Sequence, residues 1–522
     1  MADGKDGKGK DGAQAERLRL SIVELAKRRG FFWQSALVHG GIAGLYDYAH
    51  LGTMLKRKWE NEWRKFFLGL DGNFYEMQAS VIMPEAVFRA SGHLEHFVDP
   101  IVKCAKCGNT ERADHLLEEE LKENFEGVTP EEMSRLIKEH NVKCPKCGGN
   151  FDSAGVFNML FPLRVGAGKD SQAAYLTGET AQGAYVNFKM EFDALRKRLP
   201  LGLAIIGKAF RNEIAPRNAL IRMREFTQAE LQIFFDPDAI ASHPRFDEVK
   251  GCKLRLFPVA NRASGRIDEV TCGDAVGTLK LPKFYVYHMA AIQQFYLDVL
   301  KLPKERFRFR QLSDEEKAFY NKYHWDIELD LASLGGWKEV AGLHYRTDHD
   351  LAGHQKVSGQ SMLVDVEGKK VLPHVLELSF GVDRNVYALF ELAYGEEKVK
   401  GEERVVLRFP RMVSPYDAGI FPLVNKDGLQ EKAREIQRLL EEAGFRIFYD
   451  DSGSIGRRYR RIDEIGVAAG ITIDYDTLGD SDVTLRDRDS MKQVRVNIDE
   501  LPGALKAFLK GEGLERLGRP LK

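Results

Sequence analysis

Residues Phe210–Glu230 read FRNEIAPRNALIRMREFTQAE, a short segment that sets four arginines and three glutamates around two phenylalanines. In extended chain, side chains two residues apart lie on one face. Arg211 and Glu213 therefore point the same way, and so do Arg222, Arg224, Phe226, Gln228 and Glu230. APRNA between the halves carries turn-forming residues, so the pattern predicts a hairpin with one polar face. Two readings stay open at this level. The face is built to hold a charged ligand, or it is a solvated hairpin whose cross-strand ion pairs are each worth about 0.2–1 kcal/mol.

The segments around the hairpin extend the strand reading. LGLAIIGKAFRNE leads into it, EFTQAELQIFFDP leaves it, and VLPHVLELSFGVDRNVYALFELAYG follows later. Strands outnumber helices without regular alternation, which favours an α+β fold with a mainly antiparallel sheet. Upstream, residues 15 to about 100 open with a helix and reach SALVHGGIAGLYDYAHLGTMLKRKWENEWRKFF, where Leu55, Trp59 and Trp63 recur every fourth position on one helical face. Residues 1–14 are rich in Gly, Lys and Asp and read as a disordered leader. From about Val405 the order becomes strand–helix–strand–helix–strand, a small α/β domain over 405–522. The expected divisions are a main domain over 15–404, interrupted at 98–152 and again at 240–330, followed by that tail.

At 522 residues the chain is too long for one core. Its net charge of −1 means that a nucleic-acid partner has to be held by local basic patches. No stretch approaches the ~18–20 apolar residues of a membrane span, and the opening fits neither a secretory nor a transit signal, so a cytoplasmic protein is expected. Four of the six cysteines form CAKC at Cys104–Cys107 and CPKC at Cys144–Cys147, each followed by glycine. Paired C-x-x-C-G turns supply four thiolates for a tetrahedral structural zinc; the alternatives are four unligated thiols or a redox dithiol. The intervening LLEEELKENFEG and PEEMSRLIKEH read as helices.

Four constellations in chain order resemble the class II aminoacyl-tRNA synthetases, specifically the dimeric glycyl-tRNA synthetases. They are GGIAGLYDYAHLG with its long helix, LTGETAQGAYVNF, the hairpin itself, and LELSFGVDR. The resemblance spans roughly residues 20–505. It departs at Ala49-His50, where the family has Gly-Pro, and at Thr177-Gly178, where it has Arg-Pro. It implies activation of glycine by ATP and magnesium, transfer to the 3′ end of tRNA(Gly), a homodimer, no membrane, and an anticodon-binding tail. Arg211 would hold the α-phosphate by its planar fork, Glu213 the adenine amino group, Arg222 the γ-phosphate, and Phe226 with Arg384 the two faces of the base. Asn212, Val340 and Gly381 complete the implied ATP set, and Glu339 with Glu377 would help hold magnesium. Arg211, Glu213 and Arg384 are the implied catalytic residues.

Glycine has no side chain to grip, and one methylene is worth only about 1–3 kcal/mol, so exclusion has to carry selectivity. The resemblance assigns this to carboxylates around the ammonium, Glu179, Glu230 and Glu377, with Gln228 and Ser379; Arg89 and Arg346 are further candidates. In the tail, SIGRRYRRIDEIG offers Arg457, Arg458, Arg460 and Arg461 around Tyr459 for tRNA phosphates and stacking, unless these arginines pair with Asp450, Asp451, Asp463 and Glu464. A synthetase for threonine, proline or serine fits the carboxylate set less well. A catalytically silent paralogue serving as a nucleic-acid-binding accessory subunit would have lost the arginines that remain here. Synthesis of diadenosine polyphosphate would use the same adenylate chemistry.

Overall fold

The computed structural model describes residues 4–121, 125, 128–195, 197–216, 218–318, 320–399 and 401–521. Its centre is a nine-stranded sheet. In chain order the strands are β1 (Phe74–Glu76), β2 (Leu201–Phe210), β3 (Glu225–Phe235), β4 (Lys253–Phe257), β5 (Asp268–Thr271), β6 (Phe307–Gln311), β7 (Tyr323–Leu331), β8 (Gly336–Thr347) and β9 (His374–Gly381). They lie side by side as β5-β4-β6-β7-β8-β9-β3-β2-β1. Only β4/β6 and β2/β1 run parallel, so the antiparallel expectation describes this sheet. The 240–330 segment supplies β4 to β7 to the same sheet.

The helices that flank it include α1 (Gly4–Arg29), α2 (His50–Phe67), α3 (Ala181–Ala194), α4 (His349–Ser358) and α5 (Val382–Ala393). Helix α1 starts inside the segment read as a disordered leader, of which residues 1–3 lie outside the described residues. The fourfold spacing in α2 has its structural counterpart in Leu51, Leu55, Trp59, Trp63 and Phe67, all buried. Trp63 meets Phe380 of β9 edge-on at 5.9 Å and Trp59 meets Phe295 at 5.8 Å, each buried ring contributing roughly 1.5–3 kcal/mol. The entry to α2 is tight, since a Cβ on Gly52 would stand 1.9 Å from the Phe31 carbonyl oxygen. His50, where the family resemblance leads one to expect proline, lies over Gly30.

The cysteine-bearing segment forms its own three-stranded sheet, with Val98–Lys103 between Thr110–Arg112 and Gly155–Asn158. Because Val98 pairs with Asn158, this unit closes at 158, later than the expected 152. Helices Ala113–Leu121 and Pro130–Glu139 cover it, and Thr129 caps the second. Of the first expected helix, residues 122–124, 126 and 127 lie outside the described residues.

The tail carries β10 (Ala418–Pro422), α6 (Leu429–Glu442), β11 (Ile447–Tyr449), α7 (Ile455–Glu464), β12 (Ala469–Ile473), β13 (Asp482–Asp487), β14 (Gln493–Asn497) and β15 (Arg519–Pro520). Its sheet runs β11-β10-β12-β13-β14-β15, with β10 parallel to both neighbours. A buried ion pair docks it, Arg404 donating to Asp463 at 2.8 Å, and at the surface Arg28 on α1 reaches Glu464 at 2.9 Å. No helix among the described residues is long and apolar enough to cross a membrane.

Candidate functional site

Strand register brings the polar residues together. On β3 and β9, Glu230 stands opposite Ser379, Gln232 opposite Glu377, and Gln228 opposite Gly381. On β8, His344 stands opposite Glu377, and across β7 it faces His324. Side chains alternate in steps of two, so this face concentrates charge over the middle of the sheet. A bulge between Tyr345 and Thr347 turns Arg346 into the same space. The result is a cleft of about 480 Å³ whose lining includes Glu179, Arg211, Glu213, Arg222, Phe226, Glu230, Arg346, Glu377 and Arg384.

One end of the cleft is a buried carboxylate cluster around Arg346. That guanidinium donates to Asp350 at 2.8 and 3.0 Å and to Glu377 at 3.2 Å, and it lies 3.7 Å from Glu179. Glu377 also bonds His344 and accepts from Gln232 at 2.9 Å. Burial alone would raise the Glu377 carboxyl, but Arg346 and His344 hold it down at about 2. Glu179 is likewise buried, yet His93 and Arg346 keep it well below the usual range. Glu230 is different. Thr180 and Ser379 each donate to it at 2.6 Å and Gln228 at 2.9 Å, yet no cation reaches it among the described residues. Burial, then the charges of Glu377 and Glu179, push it up to about 7. The pocket thus holds one carboxylate poised to gain full charge when a cation enters.

At the other end the guanidinium of Arg211 lies 5.2 Å from the ring centres of both Phe97 and Phe226, with Nε donating to the Gly178 carbonyl at 3.1 Å. Arg222 donates to Glu213 at 2.7 Å. Arg384 donates to the Ile221 carbonyl at 3.1 Å and pairs with Glu339 at 3.1 Å. The guanidinium over the Phe226 ring is that of Arg211, while Arg384 is held by the Ile221 carbonyl and Glu339. The hairpin itself pairs Leu201–Phe210 with Glu225–Phe235. Its loop is longer than APRNA, and Arg224 leaves the site to bond the carbonyls of Glu213 and Ala43.

Several expected members fall elsewhere. Arg89 is exposed, pairs with Glu85 and lines a neighbouring depression, because it sits on the outer side of a short helix, Glu85–Ala90. Asn212 turns its backbone N–H to the Met159 carbonyl and does not line the cleft. Val340 is buried, offering its carbonyl to Asn385. Glu377 and Glu339 do not form a magnesium pair, since five strand steps, roughly 16 Å, separate Glu339 from the residue facing Glu377, whose oxygens are already bonded. In the tail, Arg458 is buried and donates to the carbonyls of Pro422, Asp451 and Gly453, while Tyr459 bonds Thr472 and packs on Phe421. Both face the domain interior. Arg460 approaches Glu402 at 3.7 Å, and only Arg457 of the four is exposed.

Other residues at the site escaped the sequence reading. His93 lies 3.5 Å from Glu179, and Asp350 anchors Arg346. Asp383 of GVDR is buried, accepting from Tyr48 at 2.6 Å and from the Thr227 amide, which fixes α5 against β3 and the short strand that precedes α2. His344 was within reach, because it lies two residues before Arg346 on one strand. His93 carried no such signal.

The four cysteine sulfurs lie within 4.8 Å of one another, with Cys104–Cys147 at 3.5 Å and Cys107–Cys144 at 3.7 Å. A tetrahedral zinc with ~2.3 Å bonds needs sulfurs about 3.8 Å apart, so the set fits that ion. Gly108 and Gly148 take positive φ, and their amides bond the carbonyls of Cys104 and Cys144 to close each knuckle. Backbone amides of Cys107 and Lys106 lower the Cys104 thiol to about 6.

Comparison with known proteins gives a consistent picture. An anticodon binding domain model matches residues 417–508. The glycine–tRNA ligase of Aeropyrum pernix is 40% identical over 97% of this chain and 100% of its own length. Those of Pyrococcus horikoshii (40%, 94% and 98%) and Methanothrix thermoacetophila (38%, 96% and 99%) are similar to it over comparable lengths. Among solved structures, prolyl-tRNA synthetase from Cryptosporidium parvum complexed with L-proline and AMP superposes with a TM-score of 0.54 at 14% identity, covering 94% of this chain and 77% of the other. That likeness speaks to the fold alone.

Proposed function

The chain belongs to the glycine–tRNA ligase family of class II aminoacyl-tRNA synthetases, and from that premise we propose which of its residues carry each part of the reaction. The family's activity uses ATP with magnesium. Glycine's carboxylate attacks the α-phosphate, pyrophosphate leaves, and glycine passes to tRNA. In our reading Arg211 neutralises the α-phosphate, Arg222 and Arg384 receive the outer phosphates and the base, and Glu213 accepts from the adenine amino group. Glu230, Glu179 and Ser379 take the glycine ammonium, while Glu377 and Arg346 frame it. Catalysis then rests on positioning and fixed charge.

The observation that carries this assignment is the pair Glu179 and Glu377 around Arg346, with Glu230 beside them and unmatched by a cation among the described residues, in the same cleft as Arg211. An added methyl would strip water from, or clash with, charged oxygens, which costs more than an apolar misfit. The test is amino-acid-dependent exchange of labelled pyrophosphate into ATP. Glycine alone should support exchange, with alanine and serine near background, and Glu230→Ala should lose it. Because Glu230 sits at about 7 and must be ionised to hold an ammonium, the glycine KM should fall roughly tenfold from pH 6 to pH 8. A flat KM across that range rejects the role given to Glu230, and exchange without any amino-acid preference rejects the pocket.

We further assign a structural zinc to Cys104, Cys107, Cys144 and Cys147, and a homodimer through the segment around Trp33, Leu37, Val38 and Ile42. Those side chains are exposed, Val38 to 92%. Native mass spectrometry tests both, with two chains and two zinc ions expected. A metal-free monomer refutes both.

A further inference from the structure

A carboxylate that is to take a substrate's ammonium needs an oxygen the protein itself has not used. Glu179 has one. Gln182, His93 and Arg346 approach it at 3.0, 3.5 and 3.7 Å, and all three come to the same oxygen, Oε1. Of these, Gln182 alone stands at ordinary hydrogen-bond distance. The other oxygen, Oε2, accepts no hydrogen bond among the described residues.

Gln182 is buried in the first turn of α3, and its amide is fully engaged. Nε2 donates to Glu179 Oε1 at 3.0 Å and to Asp350 Oδ1 at 3.2 Å, while Oε1 faces His354 Nε2 at 3.0 Å. The amide can stand only this way round, because its oxygen turned toward two carboxylates would meet nothing but acceptors. His354 Nε2 therefore carries a hydrogen and donates it to Gln182. Asp350 and His354 lie four residues apart, on one face of α4. Arg346 also donates to Asp350 Oδ1, at 3.0 Å, so guanidinium and amide bridge the same two carboxylates and offset their repulsion. Neither Gln182 nor His354 lines the cleft; His354 borders a separate depression of about 260 Å³. Both stand behind the wall that a substrate would meet.

We infer that Gln182 is a positioning residue for the amino-acid pocket. Its amide holds Glu179 in the rotamer that commits Oε1 to the protein and leaves Oε2 for the ammonium. His354 acts through Gln182, by keeping the amide the right way round. Without the amide, Glu179 would be held only by the longer approaches of His93 and Arg346, and both of its oxygens could turn toward them. The inference rests on the ligase reading for which ammonium arrives.

The test is glycine binding to the full chain by titration calorimetry without ATP, together with KM and kcat in glycine-dependent pyrophosphate exchange. Gln182→Met keeps the length of the side chain and removes both donors. It should raise the glycine Kd and KM roughly ten- to hundredfold, as loss of a hydrogen bond to a charged group does, with the ATP KM and kcat within about threefold of wild type. His354→Phe should raise the glycine Kd by less, roughly threefold to tenfold. The double variant should be no worse than Gln182→Met, because His354 works only through the amide. An unchanged glycine Kd in Gln182→Met, glycine and ATP constants that rise together, or two effects that multiply in the double variant would each overturn the proposal. Should Gln182→Met fail to fold, His354→Phe decides alone, and an unchanged glycine Kd there rejects it. A wild type that binds glycine without exchange would sink the ligase reading and leave calorimetry to decide this one, whereas no glycine binding at all rejects both.

Discussion

Replacing Arg211 by glutamine is expected to lower glycine-dependent pyrophosphate exchange by roughly a thousandfold while leaving the glycine KM within a fewfold of wild type. The side chain is positioned before any substrate arrives: its guanidinium lies between Phe97 and Phe226, and Nε is committed to the Gly178 carbonyl. The two remaining nitrogens bond no group among the described residues and form a planar fork that suits two phosphoryl oxygens. Negative charge on those oxygens peaks in the transition state, so a cation already held in place costs no reorganisation at that moment. Glutamine keeps a donor but loses the charge and most of the reach. Lysine restores the charge as a point, without the fork, and should recover only part of the rate. Exchange by Arg211→Gln within about tenfold of wild type would mean that another cation meets the α-phosphate.

How much of this arrangement was legible beforehand depended on whether it followed a local period. The hairpin did, since alternation along Glu225–Phe235 placed Gln228 and Glu230 on one face without knowledge of any neighbour. The fourfold apolar spacing of α2 was equally local. The zinc knuckles were readable because C-x-x-C-G is a backbone conformation written in sequence. What failed depended on partners far along the chain. Arg346 reaches Glu377 through a bulge that no period announces, and the 240–330 segment, expected as an insertion, joins the rest of the sheet through β8, whose partner β9 lies further along the chain. In α7 the charge pattern suggested contact with RNA phosphates, yet Arg458 caps the carbonyls that close the sheet edge, a buried task for which arginine's five donors are suited. Arg89 was chosen by type and lost by the direction of a short helix.

Replacing Arg346 by methionine, a side chain of similar length, should be the most destabilising single change in the cleft. The arginine is 2% exposed, and Asp350, Glu377 and Glu179 all lie within 3.7 Å of its guanidinium. The rings of Tyr320 and Tyr185, at 4.6 and 5.4 Å, close over it. Removing one partner of a buried ion cluster costs about 3–5 kcal/mol, chiefly because the charges left behind have no compensation. The pH dependence separates this cause from simple loss of packing. In wild type Glu179 and Glu377 titrate below their unfolded values, so they contribute stability that is present above those values and lost only as pH falls through the folded ones. Without Arg346 the same burial raises them, and their contribution then becomes a penalty that grows as pH rises. The gap between wild type and variant, read from urea unfolding of the catalytic domain, should therefore widen from pH 6 to pH 8, and glycine should protect only the wild type. A gap that stays constant across that range would show that Arg346 fills space rather than balancing charge. In that case Glu179 and Glu377 would have to be held ionised by His93 and His344 alone.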